Sequence, residues 1–272
     1  MREFFEALAY PFMYRAIIVG VLVSLCAALL GVVLVLKRYT LIGHGLGEVG
    51  FAATALAVAL GLSPMAVAVP LVVLASFLVM YLSQRGGASG DVAIGVMATA
   101  ALSVGVMITS LSRGSNVDVT SYMFGSILGL TDVDMGLSAA LSAVVLVMYF
   151  LLFNRLFSVA YDETFARATG INVTMYQFVI SFLTAVTVVL GMRMMGSMLI
   201  SSLIIFPALT ARRLTASFRG MVIAAALISI GGFLIGMVAS FYGNLPTGAS
   251  IVCVDLLLLG AARIVARIAR RA

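Results

Sequence analysis

The single histidine of the chain, His44, and a glutamate, Glu48, stand four residues apart inside an otherwise apolar stretch, LIGHGLGEVGFAATALAVAL, residues 41–60. On a helix that spacing puts both side chains on one face. Glu48 lies ten residues beyond Arg38. At about 1.5 Å per residue this is near the middle of a ~30 Å hydrocarbon core. An ionised carboxylate at that depth is costly and has to face a cavity or a partner. Three readings are open. The pair hydrogen-bonds and packs a helix interface; it relays protons; or it coordinates a cation. Imidazole with carboxylate suits zinc or manganese, but two such groups do not complete a site, and a symmetric dimer would double the set.

Gly43 and Gly47 flank the pair as a GxxxG step, which lets helix backbones approach closely. Similar steps occur at Gly125/Gly129 and Gly232/Gly236. Asp255 falls in the last apolar run, SIVCVDLLLLG, as a second transport-path residue or as the partner of a neighbouring polar group. Asp91, Asp118, Asp132 and Asp134 fall at the ends of apolar runs and read as solvated. The two cysteines, Cys26 and Cys253, sit in apolar runs and read as packing residues. The 16 methionines are scattered, without the clustering that a thioether copper site needs. A phosphate-binding loop needs a lysine after its glycines, whereas the one lysine, Lys37, follows VVLVL.

The elements that must position these residues are membrane helices. The chain of 272 residues is 63% hydrophobic and 10% charged, with mean hydropathy +1.22. Soluble domains carry roughly 25% charge, so the excess apolar surface faces lipid. The start, MREFFEALAYPFMYR, lacks a secretory cleavage pattern, and the first apolar run is expected to be retained. The expected fold class is all-α, a polytopic transmembrane bundle of about 8–9 spans plus a membrane-dipping segment. The spans fall at about 12–36, 41–60, 64–83, 91–111, 134–157, 174–192, 196–211, 220–241 and 248–266, and residues 115–131 are the dipping segment. Pro207 is expected to kink its helix. With the C-terminus cytoplasmic and the N-terminus outside, twelve Lys and Arg side chains fall inside and four outside, as the positive-inside rule prefers.

One stretch between spans, VAYDETFARATGIN at 159–172, is the most polar. Asp162 and Glu163 at a helix start, Ala166 in its middle and Gly170 just past its end fit a short helix that docks on another protein, set against an ordinary solvated loop.

These motifs together resemble the zinc/manganese permease family of ABC transporters. VVLVLKRYTLIGHGLGEVGFAA resembles the family's passage from first to second span. NVDVTSYMFGSILGLTDVDM is similar to the segment after the fourth span, and YDETFARATGIN to the cytoplasmic helix that docks into the ATPase. GSMLISSLIIFPALTARRL resembles the stretch in which Pro207, Ala208 and Arg212 match common family residues, and LPTGASIVCV the turn into the last span. The family usually carries Asp at the position of His44 and His at that of Glu48; the order is reversed here, with both side chains able to bind metal and the charge of the pair unchanged. Ala249 stands where proline is common.

The resemblance implies one permease domain over 1–272, with 159–172 as its cytoplasmic coupling segment. It implies a homodimeric translocation path with His44 and Glu48 as transient metal ligands, and two ATPase subunits coupled through Asp162, Glu163, Ala166 and Gly170. An extracytoplasmic protein would deliver the metal, and a bacterial cytoplasmic membrane would surround the permease. The chain itself would be no enzyme and carry no intrinsic cofactor, ATP being held by the partner subunit, and nucleic acid is not among the partners. Two rivals stand beside this reading. One is a permease for iron chelates or cobalamin; the other is a metal transporter driven by an ion gradient.

Overall fold

The computed structural model describes residues 11–85, 90–111 and 132–269. They form helices and no strand. In chain order these are α1 (Pro11–Leu36), α2 (Ile42–Ala59), α3 (Pro64–Arg85), α4 (Gly90–Leu111), α5 (Asp132–Leu151), α6 (Phe153–Tyr161), α7 (Glu163–Ala168), α8 (Val173–Met195), α9 (Ser197–Leu214), α10 (Phe218–Gly243) and α11 (Thr247–Ala269). Eight of them are long and apolar enough to cross a membrane, and the count is nine if α5 and α6 are one broken span. The dipping segment expected at 115–131, with its Gly125/Gly129 step, lies outside the described residues.

The bent pair corrects one expectation. The run over 134–157 is not one straight helix; the chain turns by 70° between Leu151 and Phe153. Twenty residues of α5 at about 1.5 Å each already span ~30 Å. The nine residues of α6, FNRLFSVAY, carry Asn154 and Arg155 on one side and bury Leu156 and Val159 on the other, so α6 turns aside as an amphipathic helix.

The core sits between α1 and α9. One continuous buried cluster draws residues from α1, α2, α3, α4, α5, α6, α8, α9, α10 and α11. Lipid is as apolar as leucine, so such helices associate through close backbone approach. At Gly31 of α1 an added Cβ would lie 2.0 Å from the Ile204 carbonyl oxygen of α9, a contact only glycine permits. Pro207 lies within α9, which stays helical from Ser197 to Leu214.

Candidate functional site

α2 begins late. Arg38 takes a left-handed backbone conformation (φ 63°), and the Tyr39 amide bonds the Leu34 carbonyl at 2.9 Å, closing α1 with a tight turn. Helix resumes only at Ile42. Glu48 is therefore six residues into an 18-residue helix, about 9 Å from its Lys37 end and closer to the middle of its ~27 Å length than to that end.

The glycines around the pair are the contact faces of α2. A Cβ on Gly43 would meet the Ile204 side chain at 2.9 Å, and one on Gly47 would meet Ser197 at 3.1 Å, both on α9. On another face, a Cβ on Gly45 would meet Ile94 of α4 at 2.6 Å. Pressed between α9 and α4, α2 directs His44 to a third side. Its side chain is 49% exposed, while Glu48 is buried at 4%. His44 Nδ1 and Glu48 Oε1 are 3.9 Å apart, too far for a hydrogen bond. A shared cation with ligand bonds of about 2.0–2.2 Å each spans that gap. No group of three or more His, Cys, Asp or Glu side chains converges among the described residues.

Asp255 is not drawn into that pair. It is buried in α11 at 1% exposure against α10, and among the described residues neither of its oxygens has a hydrogen-bond partner. A Cβ on Gly232 would lie 2.1 Å from its Oδ1, and one on Gly236 would lie 2.5 Å from the Ile251 Cα. The Gly232/Gly236 step is thus the seam between α10 and α11. Cys26 and Cys253 are free thiols.

The polar stretch at 159–172 holds a short helix, α7, closed at both ends. Asp162 caps its start, its Oδ1 accepting from the Thr164 and Phe165 amides at 2.9 and 3.0 Å. At the other end the Gly170 amide bonds the Arg167 carbonyl and the Ile171 amide bonds the Ala166 carbonyl, each at 3.0 Å. This is a Schellman turn that needs positive φ at Gly170, where φ is 80°. Ala166, at 0% exposure, packs with Val159 and Val173 and anchors α7 to α6 and α8. Tyr161 and Phe165 remain exposed.

Sequence reasoning passed over the ion pair that holds α7. The Lys37 ammonium, at the end of α1, donates to Glu163 Oε1, and the Gln177 amide of α8 donates to the same oxygen at 2.8 Å. The Lys37 side chain is 2% exposed. Burial pulls its ammonium below the ordinary lysine range, and Glu163 pulls it back up in part. A lone lysine after an apolar run is the one trace of this in the sequence; its partner is 126 residues away.

A bundle of apolar helices with an ionisable pair on one of them and a short capped helix at one end is a multi-pass membrane permease. The chain belongs to the ABC 3 transport family, whose model matches residues 9–266. It is 26% identical to the manganese import system permease protein ScaB of Streptococcus gordonii, over 95% of this chain and 93% of that one. It is 29% identical to the high-affinity zinc uptake system membrane protein ZnuB of Haemophilus influenzae, over 89% of this chain and 93% of that one. Among solved structures, PsaBC from Streptococcus pneumoniae in complex with Fab aligns with a TM-score of 0.85 at 25% identity, covering 96% of this chain and 94% of that chain.

Proposed function

We propose that this chain is the permease subunit of an ATP-driven importer that carries divalent metal ions, zinc or manganese, across a bacterial cytoplasmic membrane. The observation that carries the cargo assignment is the His44–Glu48 pair. It is a nitrogen and a carboxylate oxygen 3.9 Å apart on one helix, half open on the histidine side. The names of the manganese and zinc relatives point the same way.

Two ligands hold a cation weakly, which suits an ion that must leave again. A second copy of the chain contributes its own His44 and Glu48, making four ligands across a shared path. On the cytoplasmic side, Asp162, Glu163, Ala166 and Gly170 shape α7 as the docking helix for each of two ATPase subunits, with Phe165 and Tyr161 as its exposed apolar contacts. An extracytoplasmic binding protein delivers the ion. Twelve basic residues against four favour a cytoplasmic C-terminus and an outside N-terminus. Asp255 serves helix packing in this reading, through the Gly232 seam.

The test is reconstitution in vesicles with a cognate ATPase and binding protein. Zinc-ion or manganese-ion uptake that requires hydrolysable ATP is expected. Uptake driven by a proton gradient without nucleotide would instead identify a secondary transporter. Uptake of an intact iron chelate or a cobalamin, and not of the bare ions, would identify the chelate class.

A further inference from the structure

The helix assigned to ATPase docking and the helix that carries His44 and Glu48 are joined by one ion pair, buried at its Lys37 end and half open at Glu163. We propose that Lys37, Glu163 and Gln177 form a strut that carries the movement of α7 to α2, making Lys37 and Glu163 positioning residues for ATP-driven uptake. The inference rests on the proposed function for its cargo and its ATPase, and on the geometry for the strut itself.

Three features make the connection stiff. First, the Lys37 ammonium is withdrawn from solvent, with a side-chain exposure of 2%. Separating it from Glu163 would leave a buried charge unpaired, so the two ends move together. Second, Glu163 is the first residue of α7 and is fixed on both sides. Its Oε1 also accepts from Gln177 at 2.8 Å, and one turn on, Ala166 is sealed against Val159 and Val173. A six-residue helix has little stability of its own, so α7 follows these contacts as a unit. Third, only residues 38–41 separate the lysine from α2, and that link is short of slack. The Arg38 amide bonds the Val35 carbonyl at 3.3 Å, the Tyr39 amide bonds the Leu34 carbonyl at 2.9 Å, and the Ile42 amide bonds the Tyr39 carbonyl at 3.4 Å.

The receiving helix presents small residues to its neighbours at the end nearest Lys37. α2 meets α9 through Gly43 and Gly47 and meets α4 through Gly45, so its Lys37 half slides on small residues, while Phe51, seated on Gly105 of α4, is the pivot beyond the His44–Glu48 pair. A push or pull at Lys37 reaches His44 seven residues later and Glu48 a turn beyond. The strut therefore ties the geometry of the metal ligands to the position of α7 without passing through the α1–α9 core.

The experiment uses the chain assembled with its ATPase in vesicles and compares Lys37→Met, Glu163→Gln and the double variant. The double variant removes both charges and leaves an amide to meet Gln177. Zinc-ion uptake per ATP hydrolysed is expected to fall by about tenfold in each assembled complex, within the usual range of coupling between sites, and in Lys37→Met, which leaves the docking residues intact, assembly and ATP hydrolysis stay near wild type. A merely structural role would lower uptake and hydrolysis together. A second readout is independent of cargo: spin labels at Ala168 on α7 and at Leu60 beyond the far end of α2, in a background with Cys253 replaced by serine. Their separation is expected to stay constant through the nucleotide cycle in the otherwise wild-type chain and to vary in the double variant. An unchanged uptake ratio in any assembled variant, or label distances that vary alike with and without the strut, would overturn the proposal. So would failure of every variant to assemble, the double variant included, which would assign the cluster to folding. A wild type that takes up no metal would sink the proposed function alone, and the label distances would still decide the strut.

Discussion

At the scale of single residues, exposure divides the pair. His44 reaches the open side of α2, whereas Glu48 lies against its neighbours. His44→Ala therefore removes a side chain that packs little, and Glu48→Gln keeps the shape of a buried one. Both variants are expected to insert and assemble normally. Uptake should nevertheless fall at least about tenfold, since losing one ligand bond worth more than about 1.4 kcal/mol weakens cation binding by that factor. The double variant His44→Asp/Glu48→His, which takes the order usual in the resembling permeases, should transport better than either single variant. Uptake assays paired with a measure of assembled complex check this. A packing role predicts poor assembly for the single variants with transport per assembled complex preserved.

At the scale of elements, α7 shows how a six-residue helix is made to persist. Asp162 supplies the start, Gly170 the stop, and Ala166 the anchor. Ala166→Asp would force a carboxylate between Val159 and Val173, whose side chains offer it no hydrogen bond. The expected result is detachment of α7, with loss of ATPase assembly or hydrolysis without transport, read by co-purification and by uptake per ATP. Asp162→Ala removes one cap worth about 1 kcal/mol and should give a milder loss of the same kind. Coupled transport surviving in Ala166→Asp would show that docking lies elsewhere.

At the scale of the whole molecule, the ammonium a phosphate loop would need is already committed. Lys37 is the only lysine, follows no glycine loop, and is bound to Glu163 inside the protein. The purified chain, free of partners, is expected to bind no ATP. Titration with a fluorescent nucleotide analogue checks this, and saturable binding displaced by ATP would contradict it. On the proposed function, the energy for transport enters at α7, and the strut proposed above carries it to α2.

Much of this organisation is legible in the sequence because lipid imposes a simple rule: a backbone in hydrocarbon must satisfy its own hydrogen bonds, so each long apolar run becomes a helix. Eight helices fall within a few residues of the runs that predict them. The i, i+4 spacing of His44 and Glu48 and the capped grammar of 162–170 are likewise local, and both are helical as that spacing requires. The break at Leu152 was not legible, because an apolar run does not record where the membrane ends and an amphipathic helix turns aside. The late start of α2, set by the left-handed Arg38, was not legible for a similar reason. Only the tertiary structure decided which glycine faces which helix, that Asp255 lies against Gly232, and that Lys37 meets Glu163 across 126 residues. Those pairings depend on how helices pack side by side, and the period of a single helix carries no information about its neighbour.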